Sequence, residues 1–281
     1  MASAATGSSP AVGSDPAQSR PLAGALGIVT GPLGRLGPSL VTALAGAGAD
    51  VVGVDVGDRG ADELAEAVAD LGTTFRLERA DVADKASLLA MRQRVSELGP
   101  PAVLVNGAGI DQPPDAAAVR HRIEDVPTEA FRGTLDVNLV GAFHAIQVFG
   151  AAMRDAGGGS IVNIGSLYAS IAPEPAFYEH FEGDPPFLKP AAYGASKAGL
   201  IHLTRYFARL WGPNGVRVNA LSPGGVRGDQ DPEFLRKYCA RVPLGRMAES
   251  EDLAGPLVFL ASDASRYVTG HELRVDGGFT A

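Results

Sequence analysis

Tyr193-Gly194-Ala195-Ser196-Lys197 places a phenol and an ammonium four residues apart. If the segment is helical, both side chains lie on one face. A phenol titrates near about 10 when unperturbed, too high for a base at neutral pH. An adjacent positive charge favours the phenolate and lowers that value. A tyrosine tuned in this way can take the proton of an alcohol or return it to a carbonyl. No other tyrosine in the chain is followed by lysine at this spacing. Because such pairs also arise by chance on helices, the weight falls on what accompanies this one.

A second cluster reads Thr30-Gly31-Pro32-Leu33-Gly34-Arg35-Leu36-Gly37. It follows the apolar run 26–30 and precedes a helical pattern. Glycines there permit a tight turn and close backbone approach to a pyrophosphate, and the helix N-terminus supplies free N–H groups and a positive dipole end. The strand–turn–helix context is what such a stretch requires. Gly31, Leu33, Gly34, Arg35, Leu36 and Gly37 are therefore candidate phosphate-binding residues. Eighteen residues past Gly37, Asp55 ends the next strand pattern, with Val56 beside it. A carboxylate there accepts ribose hydroxyls and repels a 2′-phosphate, which favours NAD over NADP. Arg35 argues the other way, since its charge could pair with that phosphate; Asp55 carries more weight.

The elements that must hold these groups alternate. Strand patterns fall at 26–30, 50–55, 75–79, 101–105, 160–164, 215–220 and 272–275, with helical patterns at about 35–48, 60–71, 84–98, 127–155, 191–212, 232–240 and 249–262. Nearly continuous apolar strands interleaved with helices predict a parallel sheet covered on both faces. Right-handed crossovers make it a doubly wound, Rossmann-type α/β sheet of about seven strands in a single domain. Residues 1–22, rich in Ala, Gly, Ser and Pro, are expected to form a disordered tail before a catalytic domain at 23–281. The net charge of −8 argues against nucleic-acid or anionic-membrane partners. No apolar run reaches the roughly 20 residues of a membrane span. The lone Cys239 excludes an intrachain disulfide and fits a cytoplasmic setting.

The chain resembles the short-chain dehydrogenase/reductase family from about residue 24 to 279. The matching residues are Thr30-Gly31…Gly37, Asp55, Asp81-Val82, Asn106-Gly107-Ala108-Gly109, Asn138 in LDVNLVGAF, Ser166 in IVNIGS, Tyr193…Lys197, Pro223-Gly224 in NALSPGG, and VDGGF near the end. The resemblance implies an NAD-dependent oxidoreductase with catalytic Asn138, Ser166, Tyr193 and Lys197. Ser166 would hold the substrate oxygen and Tyr193 would move the proton. Lys197 would bind the nicotinamide ribose and lower the Tyr193 pKa, and Asn138 would anchor a relay water. Asp81 and Val82 would flank the adenine. Asn106, Ala108 and Gly109 would form the cofactor floor, and Pro223, Gly224 and Val226 would face the nicotinamide. The resemblance also implies a homotetramer, or a homodimer, assembled through the two long helices and the C-terminal strand.

The chain departs from the family pattern in four places. Arg35 stands where the family has its middle glycine. The floor motif has Gly107 where a second Asn is usual. Gly228 stands where a threonine often binds the carboxamide. Ser166 precedes Tyr193 by 27 residues, about twice the usual gap. The excess is a proline-rich insertion at 168–190, expected to form a substrate lid together with 225–247. Its Tyr168, Tyr178 and Pro190 spacing resembles a subset linked to bacterial surface-sugar and flagellin-glycan pathways. Tyr168, Tyr178 and Gly225, with Ser166, are the candidate substrate contacts. Glu174, Glu179, His180, Glu182, Asp184, Arg227, Asp229, Gln230 and Asp231 would suit a sugar, cyclitol or related ketone. His180 has no partner at metal-ligand spacing, so no metal is expected. Two alternatives stay open: an epimerase or dehydratase using NAD transiently, and a non-catalytic NAD-binding protein of the same fold.

Overall fold

The computed structural model describes residues 20–112 and 119–281. Seven parallel strands form one sheet: β1 (Leu26–Thr30), β2 (Asp50–Asp55), β3 (Phe75–Arg79), β4 (Val103–Asn106), β5 (Gly159–Ile164), β6 (Val216–Pro223) and β7 (Glu272–Val275), in spatial order 3-2-1-4-5-6-7. Their order reverses between β1 and β4, the switch point where such sheets open a crevice at the strands' carboxyl ends. Among the described residues, seven main helices connect them: α1 (Gly37–Gly46), α2 (Ala61–Ala69), α3 (Lys85–Arg94), α4 (Thr128–Asp155), α5 (Ala191–Trp211), α6 (Pro232–Cys239) and α7 (Ala254–Ala261). The fold matches the doubly wound α/β sheet expected from the alternation.

Side chains along each strand point alternately to two cores. Val29, Val51, Val105 and Val162 pack under α1, α2 and α7. Ile28, Val52, Leu104, Ile161 and Val218 pack under α3, α4 and α5. Period-2 alternation combined with burial on both faces is what makes the strands read as continuous apolar runs. A third cluster lies off the sheet. Phe177, Tyr178, Phe181 and Phe187 from the 168–190 insertion meet Phe234, Tyr238, Val242 and Met247 from the second segment. The Asp231 carboxylate caps α6, accepting from Glu233 N at 2.8 Å and Phe234 N at 3.1 Å.

Three details differ from the sequence reading. Residues 1–19 of the expected tail lie outside the described residues, but Leu22 is buried against the first core and Arg20 Nη2 donates to Leu71 O. Ordered chain therefore starts before the expected boundary, because one leucine near its end has an apolar seat. The pattern at 249–262 is two elements, a 3₁₀ turn over Ser250–Leu253 and then α7. Finally, α4 is long and apolar enough to cross a membrane by length and composition, although half of its most apolar window is buried within the fold. Its apolar face is core: Ala145, Ile146, Val148, Phe149 and Met153 all sit in the second cluster.

Candidate active site

A cavity of about 670 Å³ opens over the carboxyl ends of the strands and runs from the β1–α1 turn to the third cluster. At one end the glycine turn is held by its neighbours. Thr30 Oγ1 accepts from Gly107 N at 3.2 Å and Ala108 N at 3.1 Å, joining the ends of β1 and β4. Gly31 has φ +70°, and a Cβ there would sit 2.7 Å from Ala108 Cα. A Cβ on Gly37 would collide with Gly31 O and the Pro32 carbonyl. Both positions thus require glycine for close backbone approach. Asp55 accepts from Leu33 N and Gly57 N, both at 3.3 Å, so its carboxylate sits beside the turn. The residues fit a dinucleotide: the cradle is open, backed by α1's N-terminus, and bounded by Asp55 and the exposed Val56.

Arg35 does something its sequence position does not reveal. Its guanidinium donates to Val226 O and would collide with a Cβ on Gly228. It therefore spans from the phosphate turn to the second lid segment. Gly228, where the family often has a threonine, leaves room for that guanidinium. Gln230 takes over the local polar work, accepting from Gly228 N at 2.7 Å and donating to Val226 O at 2.9 Å.

The proton-handling groups gather at the cleft's other end. Ser166 follows β5, and Tyr193 and Lys197 occupy the first two turns of α5. The Ser166 hydroxyl bonds the Tyr193 phenol and lowers its pKa. Burial raises it more, and the Asp111 carboxylate adds to the rise, so the phenol stands above its ordinary value. Lys197 Nζ lies 5.7 Å from the Tyr193 ring centroid. Lys197 is itself buried, its Nζ donating to Ile164 O at 2.7 Å, and burial pushes its pKa down to about 8.

Asn138 lies in a π-helical stretch, Asp136–Gly141, of α4; such bulges often sit at functional positions. Its Oδ1 accepts from Ile110 N at 2.7 Å, and its Nδ2 donates to Ile110 O at 3.0 Å and Ser196 Oγ at 3.2 Å. The side chain clamps the loop after β4 to α5 and does not line the cleft. Asn106 is likewise behind the wall, donating to Asn163 Oδ1 at 2.8 Å. The other residues expected to serve catalysis, cofactor binding or direct substrate contact all line the cavity: the turn residues, Asp55, Val56, Asp81, Val82, Ala108, Gly109, Ser166, Tyr168, Tyr178, Tyr193, Lys197, Pro223, Gly224, Gly225 and Val226.

The lid charges divide differently from expectation. Tyr178 and Gln230 face the cavity. Glu174 instead pairs with Arg241 at 3.0 Å, Asp184 with Arg122 at 3.4 Å, and His180 Nε2 sits 2.9 Å from Asp231 Oδ1. These groups fasten the lid segments to their surroundings. The sequence reading missed Asp111 and Lys189, which line the cavity beside Tyr193. The only signals were their places, Asp111 two residues past Gly109 and Lys189 four before Tyr193.

Comparison with known proteins agrees with this geometry. A family model described as enoyl-(acyl carrier protein) reductase matches residues 36–280. The chain is 36% identical over 269 residues to galactitol 2-dehydrogenase (L-tagatose-forming) of Cereibacter sphaeroides, covering 92% of this chain and 96% of that protein. It is 38% identical over 265 residues to L-rhamnose 1-dehydrogenase (NAD(P)+) of Azotobacter vinelandii, covering 89% and 94%. Among solved structures, gluconate 5-dehydrogenase from Burkholderia cenocepacia, in complex with NADP and tartrate, superposes with a TM-score of 0.81 at 30% identity, covering 94% of this chain and 98% of that one.

Proposed function

Since the chain belongs to the short-chain dehydrogenase/reductase family and is an NAD(P)-dependent oxidoreductase, we propose that it uses NAD to interconvert a secondary alcohol and a ketone on a sugar, cyclitol or related polyhydroxylated substrate. The observation that carries this reading is the meeting of Ser166, Tyr193 and Lys197 at one end of a cleft whose other end is a glycine cradle beside Asp55.

The protein's part in the reaction follows from these positions. The Ser166 hydroxyl and the Tyr193 phenol converge on the place for the substrate oxygen. In oxidation, Tyr193 Oη takes the hydroxyl proton; in reduction it returns it. Lys197, buried and 5.7 Å from the Tyr193 ring centroid, would hold the nicotinamide ribose. A bound oxidised cofactor would supply the hydride acceptor and a positive charge opposing the upward pKa shift that burial gives Tyr193. Asn138 keeps the loop after β4 in register with α5.

Replacing Tyr193 with Phe is expected to lower kcat by about 10²–10⁴-fold, the usual worth of a positioned proton donor. NAD affinity and melting temperature should stay close to the parent values. Undiminished NADH formation by this variant would overturn the scheme. The preference for NAD rests on Asp55. The Asp55→Asn variant should gain NADP-dependent activity relative to NAD, measured as the ratio of kcat/KM values; a parent enzyme preferring NADP would refute this assignment.

The 168–190 insertion and the Tyr168, Tyr178 and Pro190 spacing support the further reading that the enzyme resembles members acting in bacterial surface-sugar or flagellin-glycan chemistry. A cytoplasmic homotetramer is the assembly we expect. Phe131 on α4, with Tyr206 and Leu210 on α5, stays exposed on the outer faces of the two long helices. Light scattering of the purified protein measures the stoichiometry.

A further inference from the structure

The substrate end of the cleft holds an ion pair that proton transfer does not use. Lys189 Nζ donates to Asp111 Oδ2 at 2.6 Å and to Gln112 O at 2.9 Å. The lysine side chain is 6% exposed, while the aspartate side chain is 38% exposed. The ammonium lies 5.3 Å from the Tyr193 ring centroid, and both residues line the cavity beside Tyr168 and Tyr178. These neighbours fix the pair at the reacting end.

Their hydrogen-bonding capacity is not exhausted. An ammonium has three N–H groups, and two of those on Lys189 are engaged. The Asp111 carboxylate accepts from Lys189 at Oδ2 and from Gln112 N at 2.8 Å at Oδ1, which leaves lone pairs on its exposed side. One residue thus offers a donor and the other offers acceptors to the same space. Adjacent hydroxyls match that set, since one can donate to Asp111 while its neighbour accepts from Lys189. A carboxylate on the substrate does not match. The Lys189 charge is already balanced, and the more accessible partner of the pair is an anion that would repel it. Of the other cations lining the cleft near the pair, Lys197 is buried and bonded to Ile164 O, and Arg35 donates to Val226 O.

We propose that Asp111 and Lys189 form a selecting pair that reads adjacent hydroxyls of an uncharged polyol or sugar and disfavours sugar acids. The proposal rests on the reading of the cleft as an oxidoreductase site for polyhydroxylated substrates, and it narrows that class.

Binding tests the pair apart from turnover. Calorimetry with NADH-loaded Tyr193→Phe protein would compare galactitol, threitol and myo-inositol with galactonate and threonate. A neutral polyol is expected to bind at least about 10-fold more tightly than the acid of the same carbon chain, because a buried polar site discriminates strongly against a mismatched group. Adding Asp111→Asn should shrink or invert that ratio, since it leaves the ammonium unbalanced, and Asp111→Glu should restore it. Melting curves establish that each variant is folded. Acids binding as tightly as polyols, no binding by any neutral polyol, or a ratio unmoved by Asp111→Asn would each overturn the proposal. Selective polyol binding without NADH formation by the parent enzyme would instead overturn the redox reading and leave the selecting pair standing.

Discussion

At the scale of the residue, Tyr193 is governed by competing influences whose signs can be checked. The Ser166 hydroxyl stabilises the phenolate, whereas burial and Asp111 disfavour it. Removing the hydroxyl with Ser166→Ala should therefore raise the Tyr193 pKa further. The rise of kcat/KM for alcohol oxidation would move to higher pH, with kcat down about 10²–10³-fold for a lost hydrogen bond in the transition state. Asp111→Asn should move the same limb to lower pH. Lys197 has the opposite linkage. Its folded pKa, about 8, lies below its ordinary 10.5, because burial penalises the ammonium. Between those two values the unfolded chain binds more protons than the folded one, so this lysine makes stability rise with pH. The contribution is complete above 10.5 and lost as pH falls through 8. Lys197→Met should flatten that rise, which is read as the difference between the two proteins' melting temperatures across the interval.

At the scale of the element, the β1–α1 turn makes two of its glycines unequal. A Cβ at Gly37 meets backbone, which cannot move aside, whereas one at Gly34 would meet only Gly31 O, at 3.4 Å. Gly37→Ala should lose measurable NAD affinity and lower the melting temperature. Gly34→Ala should cost no more than about 1 kcal/mol, a shift of about 2–4 °C or less. Equal melting temperatures for the two variants would show that the turn yields more than its contacts imply. The spacing of the glycines was legible in the sequence. Which of them abuts backbone was not, because the contact at Gly31 comes from Ala108, at the end of β4. Arg35 shows the same limit. Its charge near the turn raised the prospect of a 2′-phosphate contact, and the fold sends it instead to Val226.

At the scale of the whole molecule, the lid segments share a core of their own. Phe234 stacks on Tyr178 at 5.7 Å and on Tyr238 at 5.8 Å between ring centroids, and packs edge-on against Phe177 at 6.3 Å. Because this cluster is separate from the two that sandwich the sheet, it can loosen while the sheet stays folded. Phe234→Ala removes a buried aromatic, a change worth about 3–5 kcal/mol in a core. We expect faster proteolysis and amide exchange within 168–190 and 225–247 and a raised KM, with exchange in β1, β4 and β5 unchanged. Protection lost uniformly across the protein would mean that the lid and sheet form one cooperative unit.

The family resemblance implied that Ser166 would join Tyr193 and Lys197; the sequence by itself determined the parallel sheet, the glycine cradle, the carboxylate beside it and the Tyr193–Lys197 spacing. Each depends on spacing along one element or on a strand–turn–helix order that the chain carries locally. Only the tertiary structure decided which polar groups of the lid face the cleft. Glu174, Asp184 and His180 find partners on distant segments and leave it, while Lys189 and Asp111, 78 residues apart, are brought together beside Tyr193. A charged side chain on a loop takes whichever partner and degree of burial the packing provides. That choice depends on segments far away in the chain, so no pattern within the loop records it.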